Sequence, residues 1–282
     1  MGSGYTLEAG LRRRPMAVED LPALGIGTYE NTDHEVCANS VETALNVGYR
    51  HVDTAEGYGN ESAVGEGIEA ADIDREDVFL ATKVSSDNLA YGDVLNHARA
   101  SIDRLGVETL DLLYVHWPIR AYDREGTLAA FDKLYDDGLI RNVGLSNFTP
   151  DLLEAAIETL DAPLFAHQVE CHPLFQQSEL RGMAREYGHH LVAYTPLAKG
   201  DVTEVPELVD IAEKHDATPT QVALSWLLSK ESVSAIPKSA TPEHIRENVR
   251  VLEVTLDTED IERIDDIDRQ KRYVDFEEAP WN

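Results

Sequence analysis

A closed (β/α)8 barrel is the fold this sequence predicts, on three observations. Short, mostly apolar β-rich runs alternate along the chain with amphipathic helical stretches. Each run stops at, or within two residues of, a polar or ionisable residue. No linker, low-complexity tract or break in composition divides the 282 residues. α/β barrels of about 250 residues fold as one unit. The expectation is therefore one barrel domain over residues 1–282, with a short N-terminal extension and a C-terminal tail.

The runs fall at 23–28, 49–53, 78–83, 110–116, 141–146, 165–170, 190–194 and 234–236. They are nearly continuous in apolar residues, as strands buried on both faces are. Helical start signals lie between them. Asp33 can cap a helix carrying Val36, Val41, Ala44 and Leu45 that ends near Gly48. Thr149-Pro150 places proline at a first helical position ahead of Leu152, Leu153, Ala156 and Ile157. Thr218-Pro219 does the same ahead of Val222, Ala223, Trp226 and Leu227, and Thr241-Pro242 repeats the device. Strands that alternate with helices run parallel through right-handed crossovers, and eight such units favour closure over an open sheet.

Barrel enzymes carry their chemistry at the C-terminal ends of their strands. The residues there are Asp53, Lys83, His116, Ser146 with Asn147, Gln168 with Glu170, Tyr194, and Lys238 with Ser239.

Composition narrows the partners. Apolar residues make up 43% of the chain, enough for a large core. The longest apolar runs, such as 222–228, fall far short of the roughly 20 residues that span a membrane. Arg12, Arg13 and Arg14 precede Pro15 and no apolar stretch, so no export signal is read there. Without export, the sequons at Asn60 and Asn147 are read as coincidental. The two cysteines, Cys37 and Cys171, cannot build a disulfide framework, which fits a reducing cytoplasm. Acidic residues number 53 against 24 basic ones, a net charge of −29, and they are spread along the chain. Such a surface repels nucleic-acid phosphates. It reads as adaptation to high salt, where screening weakens self-repulsion. An ordinary acidic cytosolic protein is the alternative, and unfolding measured against KCl separates the two.

Several motifs drop out. Gly25-Ile-Gly27-Thr-Tyr-Glu30 opens like a dinucleotide fingerprint, but Glu30 stands where the third Gly belongs. No phosphate loop and no H-E-x-x-H helix occurs, and Phe148 replaces the second Gly of a nucleophile elbow around Ser146. His51 and Asp53 on one strand face, with His116 ending another, could hold a metal as in some barrel hydrolases. Lys83 opposes a cation there, so no metal is expected.

Asp53, Tyr58, Lys83 and His116 make a coherent proton-transfer set. A free Tyr is a poor acid at neutral pH, and a nearby ammonium favours its phenolate. Lys83 is expected to supply that charge, Asp53 to hold it through a charge-assisted hydrogen bond, and His116 to donate to a substrate oxygen. A tunable phenol suits carbonyl reduction, where a developing alkoxide takes up a proton. Taken singly, each residue has a plainer reading: an ion pair, a packed loop Tyr, a core His.

Asp53-Thr-Ala-Glu-Gly-Tyr58-Gly-Asn60-Glu61, followed by Val64-Gly65, resembles the D-T-A-x-x-Y-x-N-E-x-x-V-G signature of aldo-keto reductases. The resemblance runs nearly end to end. It takes in Gly25-Ile-Gly27-Thr28-Tyr29, Thr82-Lys83, Asp111-Leu-Leu-Tyr-Val-His116-Trp117-Pro118 and Gly144-Leu-Ser146-Asn147-Phe148. Gln168-Val-Glu170-Cys-His172-Pro173 and Ile236-Pro237-Lys238-Ser239, with Glu247-Asn248, complete it. It implies the same barrel, the tetrad Asp53, Tyr58, Lys83 and His116 with Tyr58 as general acid, and a nicotinamide dinucleotide bound without a Rossmann domain. By the same resemblance Ser146, Asn147 and Gln168 hold the nicotinamide amide and Tyr194 stacks on its ring. Gly27, Thr28 and Asp53 also border the cofactor, and Thr195, Pro196 and Leu197 lie along its pyrophosphate. Lys238 and Ser239, with Thr241, His244, Glu247 and Asn248, form its adenosine 2′-phosphate end, which implies NADPH. The family pattern I-P-K-S-x-x-P-x-R-I-x-E-N has Arg where this chain has His244. A neutral His lacks the bidentate fork of Arg, so NADH is expected to serve as well.

Tyr29 and Trp117 match pocket-lining positions beside Tyr58 and His116. Short segments after Pro118, at 198–205 and after Tyr273 imply an open pocket for small aldehydes, ketoaldehydes or sugar-derived carbonyls. Prokaryotic diketogluconate- and methylglyoxal-reducing members are the most similar in this respect. A monomer is expected. The competing reading is a nicotinamide-binding sensor or regulatory subunit of the same fold, which would lack fast turnover.

Overall fold

The computed structural model describes residues 21–282. The arginine run at 12–14 and the N-terminal extension lie outside them. Eight parallel strands form one sheet in chain order: β1 (Gly25–Gly27), β2 (His51–Asp53), β3 (Phe79–Val84), β4 (Leu112–Val115), β5 (Val143–Ser146), β6 (Leu164–Glu170), β7 (His190–Tyr194) and β8 (Val233–Ala235). The last strand meets the first through bridges between Leu24 and Ala235 and between Gly27 and Lys238. The Gly27 amide also donates to the Pro237 carbonyl at 3.1 Å. The sheet is thus a nearly closed (β/α)8 barrel, as the alternation predicts.

Strand ends are where sequence and structure differ. β1, β2, β4 and β5 are shorter than their apolar runs, with Leu24 and Leu110 kept only as isolated bridges and other terminal residues turned to loops. Thr28 is one of them: its hydroxyl donates to the Asp53 carbonyl at 3.2 Å. β8 begins one residue early, at Val233.

Ten α-helices are found among the described residues. α1 (His34–Asn46) is capped as predicted, with the Asp33 carboxylate accepting from the Val36 amide at 3.0 Å. α2 (Glu61–Ala70), α3 (Tyr91–Leu105), α4 (Arg124–Asp136), α5 (Pro150–Thr159) and α6 (Ser178–Tyr187) follow their strands in turn. Two helices, α7 (Pro206–Lys214) and α8 (Pro219–Leu228), separate β7 from β8. α9 (Pro242–Val249) and α10 (Thr258–Asp265) follow β8. Thr218 and Gln221 close a full capping box on α8. Thr149 and Thr241 precede their prolines without a side-chain cap bond. At Thr241 the Ser239 hydroxyl accepts from the backbone amide instead, at 3.1 Å.

Alternation along the strands divides the core. One set of side chains, including Phe79, Ala81, Leu112, Tyr114, Ala166, Val192 and Ile236, fills the barrel interior. The other set packs under the helices, where Trp226 and Phe131 are fully buried. At Gly144 a Cβ would lie 2.4 Å from the Tyr114 ring, so only glycine lets that ring fill the centre. Among the described residues no helix is long and apolar enough to cross a membrane.

Candidate active site

The inward alternation that buries Phe79 and Ala81 brings Lys83 to the end of β3, and it brings Asp53 to the end of β2. Both side chains are shut off from water. The Lys83 ammonium donates to Asp53 Oδ1 at 2.5 Å and to the Thr54 carbonyl at 2.6 Å. The second carboxylate oxygen of Asp53 accepts from the Gln168 amide at 2.7 Å.

Tyr58 closes a short 3-10 turn, Glu56–Tyr58, and the chain leaves it through Gly59 at φ 68°, where a side chain would be strained. Asn60 pins this loop: its amide donates to the carbonyls of Thr28 and Asn31, and its carbonyl accepts from Thr54 Oγ1 at 2.9 Å. Buried Glu61 accepts from Thr82 Oγ1 at 2.6 Å and from Arg104. The signature residues around Tyr58 are thus the struts that hold it. Its ring centre lies 5.2 Å from the Lys83 ammonium and 5.7 Å from the half-buried His116 ring, edge to face. The Tyr29 ring lies 5.2 Å from that of Tyr58, and Trp117 lies 6.4 Å from His116.

Removal from water sets the protonation states. It pushes the Tyr58 phenol well above its ordinary range, and the Asp53 carboxylate adds to the rise. The sequence expectation had Lys83 lowering that value; removal from water overrides it. Burial also lowers the Lys83 amine, opposed by Asp53. His116 is pushed down to about 3 by burial and then by Lys83, so its ring is neutral at neutral pH. The mouth therefore presents a protonated phenol and a neutral imidazole side by side.

A second, uncharged group adjoins. The Ser146 hydroxyl donates to the Gln168 carbonyl at 3.0 Å. The Asn147 amide donates to the His116 carbonyl at 3.0 Å and to Ser146 Oγ at 2.9 Å. The Tyr194 hydroxyl donates to Asn147 Oδ1 at 2.7 Å. Thr195, Pro196 and Leu197 continue from β7, with Thr195 at φ 49°. Across the rim, Lys238 and His244 are exposed, Ser239 and Asn248 are buried, and the Glu247 carbonyl accepts from Gln221. Gly27 meets this end through its bridge to Lys238. The Cys37 and Cys171 thiols are buried and unpaired. The group His215, Asp257 and Asp260 could bring three metal-ligand atoms together, but the Lys214 ammonium already bonds both carboxylates, at 2.6 and 2.8 Å.

Sequence reasoning assigned no part to the C-terminal tail beyond its brevity. The Glu170 carboxylate, fully buried beside His172, accepts from the amides of Tyr273 at 2.6 Å and Val274 at 2.8 Å. Asp201 holds Lys271 and the Tyr273 hydroxyl. So anchored, the tail lays Phe276 and Trp281 against Trp117, at 4.8 and 5.6 Å. The aromatic residues after Tyr273 were the available signal.

The comparisons concern the family and the fold. The aldo/keto reductase family model matches residues 23–269. An aldo-keto reductase of Mycolicibacterium smegmatis is 38% identical over 253 residues, covering 89% of this chain and 91% of that protein. The glyoxal reductase of Bacillus subtilis is 36% identical over 253 residues, covering 90% and 91%. The crystal structure of an aldo-keto reductase enzyme from a Medee basin deep-sea metagenome library superposes with a TM-score of 0.87 at 35% identity, covering 93% and 96%. On the family model over most of its length and on these likenesses in sequence and fold, this chain belongs to the aldo/keto reductase family.

Proposed function

We propose that the protein reduces small aldehydes, ketoaldehydes or sugar-derived ketones at the expense of NADPH, and of NADH to an appreciable extent, with Tyr58 as the proton donor. The observation that carries this reading is the phenol of Tyr58 set beside both a buried Lys83–Asp53 pair and a neutral His116. The donor set fits a nicotinamide cofactor. Ser146, Asn147 and Gln168 offer uncharged amide and hydroxyl groups, Tyr194 offers a ring held by Asn147, and exposed Lys238 offers a cation for a phosphate. Bound there, the reduced nicotinamide supplies hydride to the carbonyl carbon.

The protein's own groups handle the oxygen. His116, neutral, donates an N–H to it without bringing a competing charge. Tyr58 keeps its proton until an alkoxide develops that is more basic than the phenolate, and then passes it from the hydroxyl oxygen. The Lys83 ammonium steadies the phenolate left behind, and Asp53 and the Thr54 carbonyl hold that ammonium in place. Tyr29 and Trp117 border the substrate.

Absorbance of the reduced nicotinamide, followed with a panel of small aldehydes and ketoses at several KCl concentrations, tests the reading. Turnover is expected with both cofactors, because His244 offers no bidentate fork to a 2′-phosphate. A preference for NADPH above about a thousandfold, roughly 4 kcal/mol, contradicts the cofactor part. Binding of NADPH with no turnover on any member overturns the whole and favours a sensor.

A further inference from the structure

The turn that carries Tyr58 is fastened by a carboxylate outside the proton-transfer set. Glu56 opens the 3-10 turn Glu56–Tyr58, and its side chain is only 7% exposed. Burying a carboxylate is costly unless donors meet its oxygens. Here both oxygens are met. One accepts from the Ser85 amide at 2.6 Å and from the Asn88 side-chain amide at 2.9 Å. The other lies 2.8 Å from His97 Nδ1 on α3. Among the described residues, every hydrogen bond between 56–58 and the loop after β3 ends on this carboxylate. The D-T-A-x-x-Y-x-N-E pattern leaves position 56 open, so it assigns Glu56 nothing.

Its partners place this contact inside the barrel mouth. Ser85 stands two residues beyond Lys83, and the short 3-10 turn Ser86–Asn88 follows it. The packing there is close, since a Cβ at Gly57 would lie 2.9 Å from Ser85 Oγ. The same loop holds the segment after β4. The Ser86 carbonyl accepts from the Ala121 amide at 3.1 Å, and Asp87 pairs with Arg120 at 2.9 Å. The segments that carry Tyr58, Lys83 and His116 therefore meet at residues 85–88. On the far side of Tyr58, Asn60 and Glu61 tie the chain to Thr28, Asn31 and Thr82. On the near side, the tie is Glu56.

We propose that Glu56 is a positioning residue for the proton donor, fastening the Tyr58 turn to the loop after Lys83 so that the phenol stays beside the ammonium. This deepens the reductase reading and rests on it. Glu56 acts through the placement of Tyr58 and not on the reacting atoms. The Tyr58 ring centre keeps its 5.2 Å from the Lys83 ammonium and its 5.7 Å from the His116 ring only while the turn is held. A shift of about 1 Å in a reacting group can cost about 10²-fold in rate. Gln matches Glu in shape, with its oxygen available to Ser85 and Asn88 and its NH2 to His97. Asp is one carbon too short to reach all three.

Single-turnover oxidation of bound NADPH, by the aldehyde that the wild type reduces fastest, reads the chemical step. Glu56→Ala should slow this step by about tenfold to a hundredfold. The Kd for NADPH, read by quenching of protein fluorescence, and the KM for the aldehyde should hardly move. Glu56→Gln should keep most of the rate, and Glu56→Asp less of it. In the Tyr58→Phe background, Glu56→Ala should slow the step hardly further, because no phenolic proton is left to misplace. Glu56→Ala at the parental rate overturns the proposal. So does an equal factor lost in both backgrounds, which marks a loss of packing only. A raised Kd for NADPH with the chemical step unmoved gives Glu56 to the cofactor instead. Equal rates in Glu56→Gln and Glu56→Asp also contradict it, and these two variants decide the matter if Glu56→Ala does not fold. A wild type that reduces no aldehyde strikes the reductase reading itself and the positioning role with it.

Discussion

His51 and Asp53 share the inner face of β2, one at its start and one at its end, and their surroundings are opposite. Both ring nitrogens of His51 are buried without a partner, against the edge of Phe79 at 5.4 Å. Both carboxylate oxygens of Asp53 are taken, by Lys83 and by Gln168. At the start of the strand a polar side chain is tolerated by staying neutral, since burial pushes His51 down to about 4. At its end, charge is retained and paired. The difference shows how one strand does two jobs: its N-terminal half is packed for stability, and its C-terminal half is polarised for chemistry.

Replacing one member of the charged pair breaks that comparison most severely. Lys83→Met leaves Asp53 buried with an uncompensated charge, and loss of one partner of such a pair costs about 3–5 kcal/mol. Chemical denaturation should show this loss together with loss of turnover. A variant as stable as the parent would mean that Asp53 is not held charged.

At the other end of the strand, the effect is one of pH. Between about pH 6.5 and about pH 4 the unfolded chain protonates His51 while the folded protein does not. Stability contributed by the neutral ring is therefore lost as pH falls through that window. His167 and His189, also buried and pushed down to about 3 and about 4, act in the same direction. In His51→Gln the slope of melting temperature against pH should be shallower between pH 6.5 and 4. Identical slopes in parent and variant would contradict the account of a buried neutral imidazole.

The smallest effect is expected on the outside. Arg263 pairs with Asp210 where both side chains are exposed to solvent. Exposed pairs contribute little to stability. Arg263→Met should leave the melting temperature nearly unchanged, which makes it the control for Lys83→Met.

Much of this contrast was legible in the chain. Apolar runs that end on Asp53, Lys83, His116, Ser146, Glu170 and Tyr194 state both the strand and its direction. The signature from Asp53 to Glu61 marks the loop that carries Tyr58. Three things were hidden, each for a tertiary reason. The strand ends were overestimated because an apolar residue such as Val78 is buried equally well outside the strand. The sign of the shift at Tyr58 depends on how much water the folded mouth excludes, which no spacing reports. The tail was read as short and therefore open, yet it reaches Trp117 because Glu170, far away in sequence, binds its backbone.

The proton source is the central claim, and Tyr58→Phe tests it with a single hydroxyl removed. NADPH binding, read by quenching of protein fluorescence, should persist in this variant. Its aldehyde-dependent oxidation of NADPH should fall by about 10²–10⁴-fold in kcat, the range that a general acid contributes. Oxidation at the parental rate would contradict the account, because the proton would then come from elsewhere.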